Sequence, residues 1–407
     1  MHIPFCHRRC FYCDFAVVPL GDKAGGDSSP GSSSIKAYLE LLHREIDLIK
    51  EGFPLSTVYI GGGTPSLLTP CQINSLLDHL RNVFGFQYGA EITLEVDPSS
   101  FDKKCLEDYL EIGINRLSLG GQSFDDHLLI EMGRRHTGQE LFESCSWIDE
   151  KYQLGHLLSW SLDLIQNLPG HDLDFWNTQL SQAIKSAAPH LSIYDLSIEP
   201  GTVFHWKQSR GEMKLPNEDL AVEIDRLTSL ELLKAGFSRY EISNYALPGH
   251  ASRHNRVYWS NAGWWAFGMG STSSPWGQRF ARPRTREAYK IWLEEQENQG
   301  LHSSLLSTNS RPIDLDEQFI VGLRRREGID LQSISKDWGW TISQREEYLN
   351  SLKLRWKDFL DRGLLEILGD RVLLTNPEGM ELSNQILVEM MIWWDSLPDS
   401  AVAPPNS

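Results

Sequence analysis

Short runs of apolar, often β-branched residues alternate along the chain with longer stretches whose apolar positions recur every three or four residues. The short runs cover 2–5, 57–60, 92–96, 114–119, 157–164 and 191–198; bounded by turn residues, they predict strands. The longer stretches include Tyr38, Leu41, Leu42, Ile46 and Ile49, then Ile73, Leu76, Leu77 and Leu80. That spacing predicts amphipathic helices, and further helices are expected near 103–112, 125–133, 138–152 and 172–187. Six strands alternating with helices predict an α/β fold, a parallel sheet closed or partly closed into a barrel. Reactive groups then belong at the C-terminal ends of its strands.

The second half breaks this rhythm. Residues 19–34, rich in Gly, Ser, Asp and Pro, read as a flexible loop. Residues 206–297 read as an extension of the barrel unit 1–205, and 298–315 as a linker. From Asp316, Phe319, Ile320, Leu323, Trp338, Trp340, Leu349, Leu352 and Trp356 mark helices, and two apolar runs around Gly369 and Asp370 predict a hairpin. Helices followed by a hairpin predict a C-terminal, mostly helical, winged-helix-like module over 316–395. The Pro- and Ser-rich tail 396–407 is expected to be disordered.

A chain of 407 residues accommodates two domains, or one barrel with an added module. No apolar run is long enough for a membrane-spanning helix. The start Met1-His2-Ile3-Pro4 has no secretory pattern, so the expected location is the cytoplasm. The net charge of -17, from 55 acidic against 38 basic residues, disfavours nucleic acid or an anionic membrane as the main partner. Six cysteines are too few for a disulfide scaffold. Cys71, Cys105 and Cys145 stand alone and read as small buried hydrophobes.

Cys6, Cys10 and Cys13 crowd into a C-x3-C-x2-C string. A closed zinc site needs four ligands, and His2 or His7 is available as the fourth. A [4Fe–4S] cluster held by three thiolates instead leaves one iron open. Gly61-Gly62-Gly63-Thr64-Pro65 follows a predicted strand. Glycines there let the backbone approach a ligand closely, although a tight turn has the same sequence. Glu95 interrupts an apolar strand and needs a partner, either a ligand or an ion pair with Arg134. Gln122 and Asp163 lie at the ends of later strands. Arg253-His254-Asn255-Arg256-Val257-Tyr258-Trp259 combines an imidazole, two aromatics and two guanidinium groups. A lone histidine is more often structural, but this string resembles a heme-binding motif, which implies His254 as axial ligand, Tyr258 and Trp259 over the ring, and Arg253 and Arg256 as propionate partners.

The C-x3-C-x2-C string after a first strand resembles radical S-adenosylmethionine (SAM) proteins. The fuller string, from His2 through Cys13-Asp14-Phe15 to Gly61–Ser66, resembles the group containing oxygen-independent coproporphyrinogen III oxidase and the related heme chaperones. The resemblance spans nearly the whole chain and implies a partial (β/α)6 radical SAM barrel. It implies a [4Fe–4S] cluster at Cys6, Cys10 and Cys13, with SAM chelating the open iron. By the same resemblance Tyr12, Gly62, Gly63, Thr64, Glu95, Gln122, Arg134 and Asp163 match SAM-binding positions, although Tyr12 suits packing around the cluster equally well. His254 matches the heme ligand of the chaperones, with His250 and Tyr245 as nearby substitutes.

The oxidase pattern has a further cysteine where this chain has Phe15, so the chaperone reading leads: heme bound and handed to an acceptor protein, such as a respiratory enzyme. Decarboxylation of coproporphyrinogen III is the alternative. Three departures remain. The family's first strand begins several residues before His2 and carries a tyrosine that contacts SAM, so either the true start lies upstream or SAM binding is weakened. Gly121 stands where Val is usual, and Asn167 where Gly is usual; a non-glycine residue at positive φ costs about 1 kcal/mol.

Overall fold

The structure, a computed structural model, describes residues 1–21, 31–49, 52–275, 277, 279–299 and 315–402. Strands β1 (His2–Ile3), β2 (Phe5–Cys6) and β3 (Val18–Pro19) open the chain. Then come β4 (Leu55–Gly62), β5 (Phe86–Val96), β6 (Arg116–Gln122), β7 (Ser159–Gln166) and β8 (His190–Asp195). β1 and β4 to β8 pair in parallel, in sequence order. Short antiparallel strands β9 (Ser238–Arg239) and β10 (Asn244–Ala246) extend the sheet beyond β8. The two ends do not pair, so the sheet is an open arc. The antiparallel extension was not expected, because two- and three-residue strands are too short to show a period of two.

Helices α1 (Ser32–Asp47), α2 (Pro70–Phe84), α3 (Lys103–Glu111), α4 (Asp126–Glu131), α5 (Gly138–Gln153) and α6 (Leu173–Lys185) alternate with these strands. Their starts are chemically marked. Thr69 with Gln72, and Thr137 with Glu140, form reciprocal capping boxes, and Asp102, Asp125 and Asp172 each accept a backbone N–H. The apolar faces meet the sheet in one core, where Leu94, Leu117, Leu119, Leu162 and Leu164 are fully buried. The segment after β8 adds α7 (Val203–Ser209), α8 (Glu218–Lys234), α9 (Arg253–Trp259) and α10 (Arg286–Gln299), with the short pair β11 (Thr272–Ser273) and β12 (Phe280–Ala281).

Four readings need correction. Residues 19–34 are not one loop: Pro19 ends β3, α1 begins at Ser32, and 22–30 lie outside the described residues. The linker 298–315 lies largely outside them too, but α10 runs on to Gln299 and α11 starts at Leu315. Cys71 is exposed and Cys105 half-buried; of the three isolated cysteines, Cys145 is the buried one. The tail is not disordered over 396–402, because Ala401 is buried against the C-terminal core and its carbonyl accepts the Trp340 indole N–H at 3.1 Å, while 403–407 lie outside the described residues.

The C-terminal part has its own core around Phe319, Trp356, Val372 and Trp393. Its helices, chiefly 342–355 and 383–395, pack on a small sheet in which Leu365–Leu368 and Arg371–Leu374 form the expected hairpin. Arg256 on α9 pairs with Glu327, joining this part to the barrel extension. Among the described residues no helix is long and apolar enough to cross a membrane.

Candidate functional site

The three clustered cysteines follow β1 on a loop that the chain ties down by backbone bonds. Leu20 N donates to Cys6 O at 2.8 Å, and Phe11 N to Met132 O at 2.9 Å. The Arg8 guanidinium donates to Gly133 O at 2.6 Å. Cys6, Cys10 and Cys13 all line a cavity of about 510 Å3. Burial pushes the Cys6 thiol up to about 12 and raises that of Cys13. Among the described residues no three His, Cys, Asp or Glu side chains converge to hold one metal ion. One ring nitrogen of His2 lies 3.0 Å from Ala16 O, and one of His7 lies 3.2 Å from Gly21 O. In a cubane cluster each thiolate takes a separate iron, and three cysteines on one cavity wall fit that donor set.

The glycine turn faces the cysteines. A Cβ on Gly63 would stand 2.8 Å from Cys6 Sγ and 2.7 Å from Phe5 O, so the approach requires glycine. Gly62 has φ +121 and its N–H donates to Glu95 Oε2 at 2.9 Å. Tyr59 OH donates to the other carboxylate oxygen at 2.7 Å. Burial pushes Glu95 up to about 7, against the opposing pull of those two bonds.

Arg134 does not pair with Glu95. It meets Asp97, the residue just past the end of β5, at 2.6 Å, and also donates to Gly120 O at 2.6 Å. Its other amino group lies 3.7 Å from Cys10 Sγ, and its buried Nε has no partner. Burial works against the Arg134 charge, but Asp97 more than offsets it and raises the pKa. Asp163 accepts from Ser118 Oγ at 2.8 Å and Ser161 Oγ at 3.3 Å, while burial raises its pKa. Tyr12, Gln122, Thr64 and Asp163 line the same cavity as Glu95 and Arg134.

The sequence reading missed Asp97, Ser118, Asp195, Ser197 and Glu199, which also line it. Asp97 was findable from its spacing of two after Glu95. Asp195 lies at the C-terminal end of a strand, the same rule that singled out Asp163. Asn167 does adopt φ +58, and its side chain donates to Asp195 Oδ1 at 2.7 Å. At Gly121 a Cβ would stand 2.8 Å from Leu162 Cδ1 and 3.0 Å from Leu141 Cδ1, so these two leucines fill the space of the usual valine.

His254 lies on the wall of a second cavity of about 840 Å3, with Thr57, Tyr59, Tyr258, Trp264 and Arg279. Ser252 caps α9, and one helical face presents His254, Val257 and Tyr258 to this cavity. Arg253, Arg256 and Trp259 fall on other faces and do not line it, so the expected propionate partners and Trp259 are misplaced. Arg253 instead donates to Gly89 O at 2.8 Å. His250 and Tyr245 lie elsewhere, bonded to Ser159 and Ser229. The His254 ring stacks on Tyr59 at 4.9 Å, with Nδ1 2.8 Å from Thr57 Oγ1 and Nε2 2.8 Å from Tyr258 OH. Burial lowers its pKa to about 3, which keeps the imidazole neutral at pH 7.

Known proteins fit this geometry. The radical SAM superfamily matches residues 1–172. A curated relative from Synechocystis, named heme chaperone HemW, is 37% identical and the match covers 95% of this chain and 94% of the relative. The Bacillus subtilis protein of the same name is 30% identical over 95% of this chain and 97% of its own. Among solved structures, the radical SAM enzyme coproporphyrinogen III oxidase (HemN) from Escherichia coli superposes with a TM-score of 0.73 at 21% identity, covering 95% of this chain and 88% of that one. That likeness establishes the fold, and the curated relatives establish the family: the chain belongs to the HemW family of radical SAM proteins.

Proposed function

We propose that this protein binds heme through His254 and passes it to an acceptor protein, while Cys6, Cys10 and Cys13 hold a [4Fe–4S] cluster and the adjoining cavity holds SAM. The observation that carries the heme reading is a neutral, buried imidazole stacked on Tyr59, with its ring nitrogens at Thr57 and Tyr258. With Nδ1–H given to Thr57, Nε2 is the acceptor that now faces Tyr258 OH, and it is the atom an iron would take. Arg279, which pairs with Glu317 and lies over the Trp264 ring, is the guanidinium on the wall of the His254 cavity and replaces Arg253 and Arg256 as propionate partner. The acceptor protein is proposed to be a respiratory enzyme, and the setting the cytoplasm.

In the cysteine cavity Cys6, Cys10 and Cys13 would hold the cluster, which would supply an open iron for the amino-acid end of SAM. Gly62, Gly63 and Thr64 line the same cavity and would take that end on their backbone. Glu95 and Asp163 offer carboxylates to ribose hydroxyls, and Gln122 lies on the wall beside Arg134. Tyr12 packs against Phe204 at 6.3 Å and shields the cluster side. Phe15, where the oxidase pattern has cysteine, is 55% exposed at this cavity's edge.

The test is an anaerobic hemin titration of reconstituted protein, with coproporphyrinogen III conversion as a second readout. Wild-type protein is expected to bind hemin without converting the porphyrinogen, and His254→Ala to weaken hemin binding about ten-fold or more. Porphyrinogen turnover, or unchanged hemin binding by His254→Ala, would sink the reading. SAM binding should also depend on pH. The ribose hydroxyls need an ionised Glu95, whose pKa is about 7. Affinity is expected to fall by up to about ten-fold per pH unit below that value. Glu95→Gln should flatten the profile, and a profile equally steep in that variant would exclude Glu95.

A further inference from the structure

A buried ion pair stands against the cysteine loop. Arg134 reaches the loop from the turn after α4, and both of its amino groups are engaged there. Nη2 meets Asp97 Oδ2 and Gly120 O, each at 2.6 Å. Nη1 lies 3.7 Å from Cys10 Sγ. Asp97 is itself held, because its other oxygen accepts from Ser99 N at 3.1 Å and Ser99 Oγ at 2.8 Å. The Arg134 and Asp97 side chains are 11% and 20% exposed, so salt and water screen the pair little. Each clustered cysteine has a hydrogen-bond donor. The Thr64 side chain serves Cys6, the Phe15 backbone serves Cys13, and the Tyr12 hydroxyl joins Arg134 at Cys10. Of these four donors Arg134 is the charged one.

We propose that Asp97 and Arg134 act as a pair that sets the reduction potential of the cluster, with Asp97 as the positioning residue that holds Arg134 on Cys10. The proposal rests on the cluster argued above at Cys6, Cys10 and Cys13. Cluster potentials follow net charge and the hydrogen bonds made to the sulfurs. One-electron reduction adds a negative charge, which a guanidinium at the Cys10 sulfur favours. The Asp97 carboxylate, bound to the other amino group, partly offsets that gain. The two members of the pair therefore pull the potential in opposite directions.

The experiment is a titration of reconstituted full-length protein with dithionite and redox mediators, without SAM, followed by the electron paramagnetic resonance signal of the reduced cluster. Asp97→Asn keeps an oxygen for Arg134 and deletes the charge. It is expected to shift the one-electron equilibrium toward the reduced cluster by about ten-fold, a rise of about 59 mV. Arg134→Gln deletes the cation and is expected to shift it the other way by a similar factor. Arg134→Lys keeps the charge but not the fork, and its potential should lie between those of Arg134→Gln and the wild type. All three variants should retain about four irons, since the thiolates remain. A loosened loop would move Asp97→Asn and Arg134→Gln in the same direction, so opposite shifts separate the pair's electrostatic role from a structural one. Asp97→Asn alone decides the sign should Arg134→Gln fail to fold. Shifts of equal sign, or potentials equal to the wild type's, overturn the proposal and leave the cluster standing. A wild type that takes up no cluster overturns both.

Discussion

Replacing Cys10 with alanine is expected to abolish the iron–sulfur cluster, with bound iron after anaerobic reconstitution falling from about four per chain to near zero. Cys6→Ala and Cys13→Ala should do the same, because each thiolate is the sole protein ligand offered to its iron. The loss should be specific rather than a collapse of the fold. The loop is held by backbone bonds that do not involve the thiols, such as Leu20 N to Cys6 O at 2.8 Å and Phe204 N to Phe11 O at 3.0 Å. Arg134, near Cys10, keeps its ion pair with Asp97. Cys71→Ala and Cys105→Ala are the matched controls, since these residues lie on α2 and α3 and do not line the cavity. They should leave iron content unchanged. Full iron content in any of the three loop variants would remove that residue from the ligand set. On the proposed function, removing iron by chelation should also weaken SAM binding to the wild type, since an open iron would anchor the amino-acid end of the ligand.

That the three cysteines share one wall was legible in the sequence because they lie within eight residues of each other and need little help from the fold. The close approach of Gly63 to Cys6 joins positions 57 residues apart, and only the strand before the glycine run hinted at it. The strands of the arc were legible as well: each is an apolar run long enough to show its character. Partnership across the sheet was not. The ion pair with Arg134, the alternative to a ligand for Glu95, does not form: the arginine meets Asp97, and nothing in a linear string distinguishes two acids spaced by two. The heme motif shows the same limit. Its residues were identified as a set, but α9 divides them, with His254 and Tyr258 on the cavity face and Arg253, Arg256 and Trp259 elsewhere. Helical periodicity would have made that division visible, had the segment been read as a helix. Trp264 and Arg279, which line the cavity, reach it through the turns after α9, and no local pattern marks them. Tyr59 was passed over as an ordinary strand residue, because its two contacts come from 36 and 195 residues away in sequence.

Arg282→Ala is expected to lower the stability of the barrel by about 3–5 kcal/mol, a large share of the roughly 5–15 kcal/mol that holds a typical protein folded. The Arg282 and Glu45 side chains are each 1% exposed and meet at 2.7 Å. Glu45 Oε2 also accepts from Gly268 N at 2.7 Å and Tyr289 OH at 2.5 Å. Arg282 donates to Ser273 Oγ at 2.7 Å and lies over the rings of Phe280 and Trp292. Truncating the arginine leaves a buried carboxylate without its counter-charge, and that desolvated charge, rather than the lost contact, dominates the cost. The network also reaches the cofactor end of the molecule. Gly268 has φ +102, and a Cβ there would stand 2.5 Å from Tyr38 OH. That hydroxyl donates to His2 O at 2.8 Å, and His2 N in turn donates to Phe267 O at 2.8 Å. The strand that leads into the cysteine loop is therefore seated on the turn that Glu45 supports. Denaturant unfolding followed by tryptophan fluorescence measures the loss, and a midpoint equal to the wild type's would show that the pair is dispensable. Replacing both partners, Glu45→Met with Arg282→Met, should cost less than Arg282→Ala alone, because no unpaired charge then remains in the core.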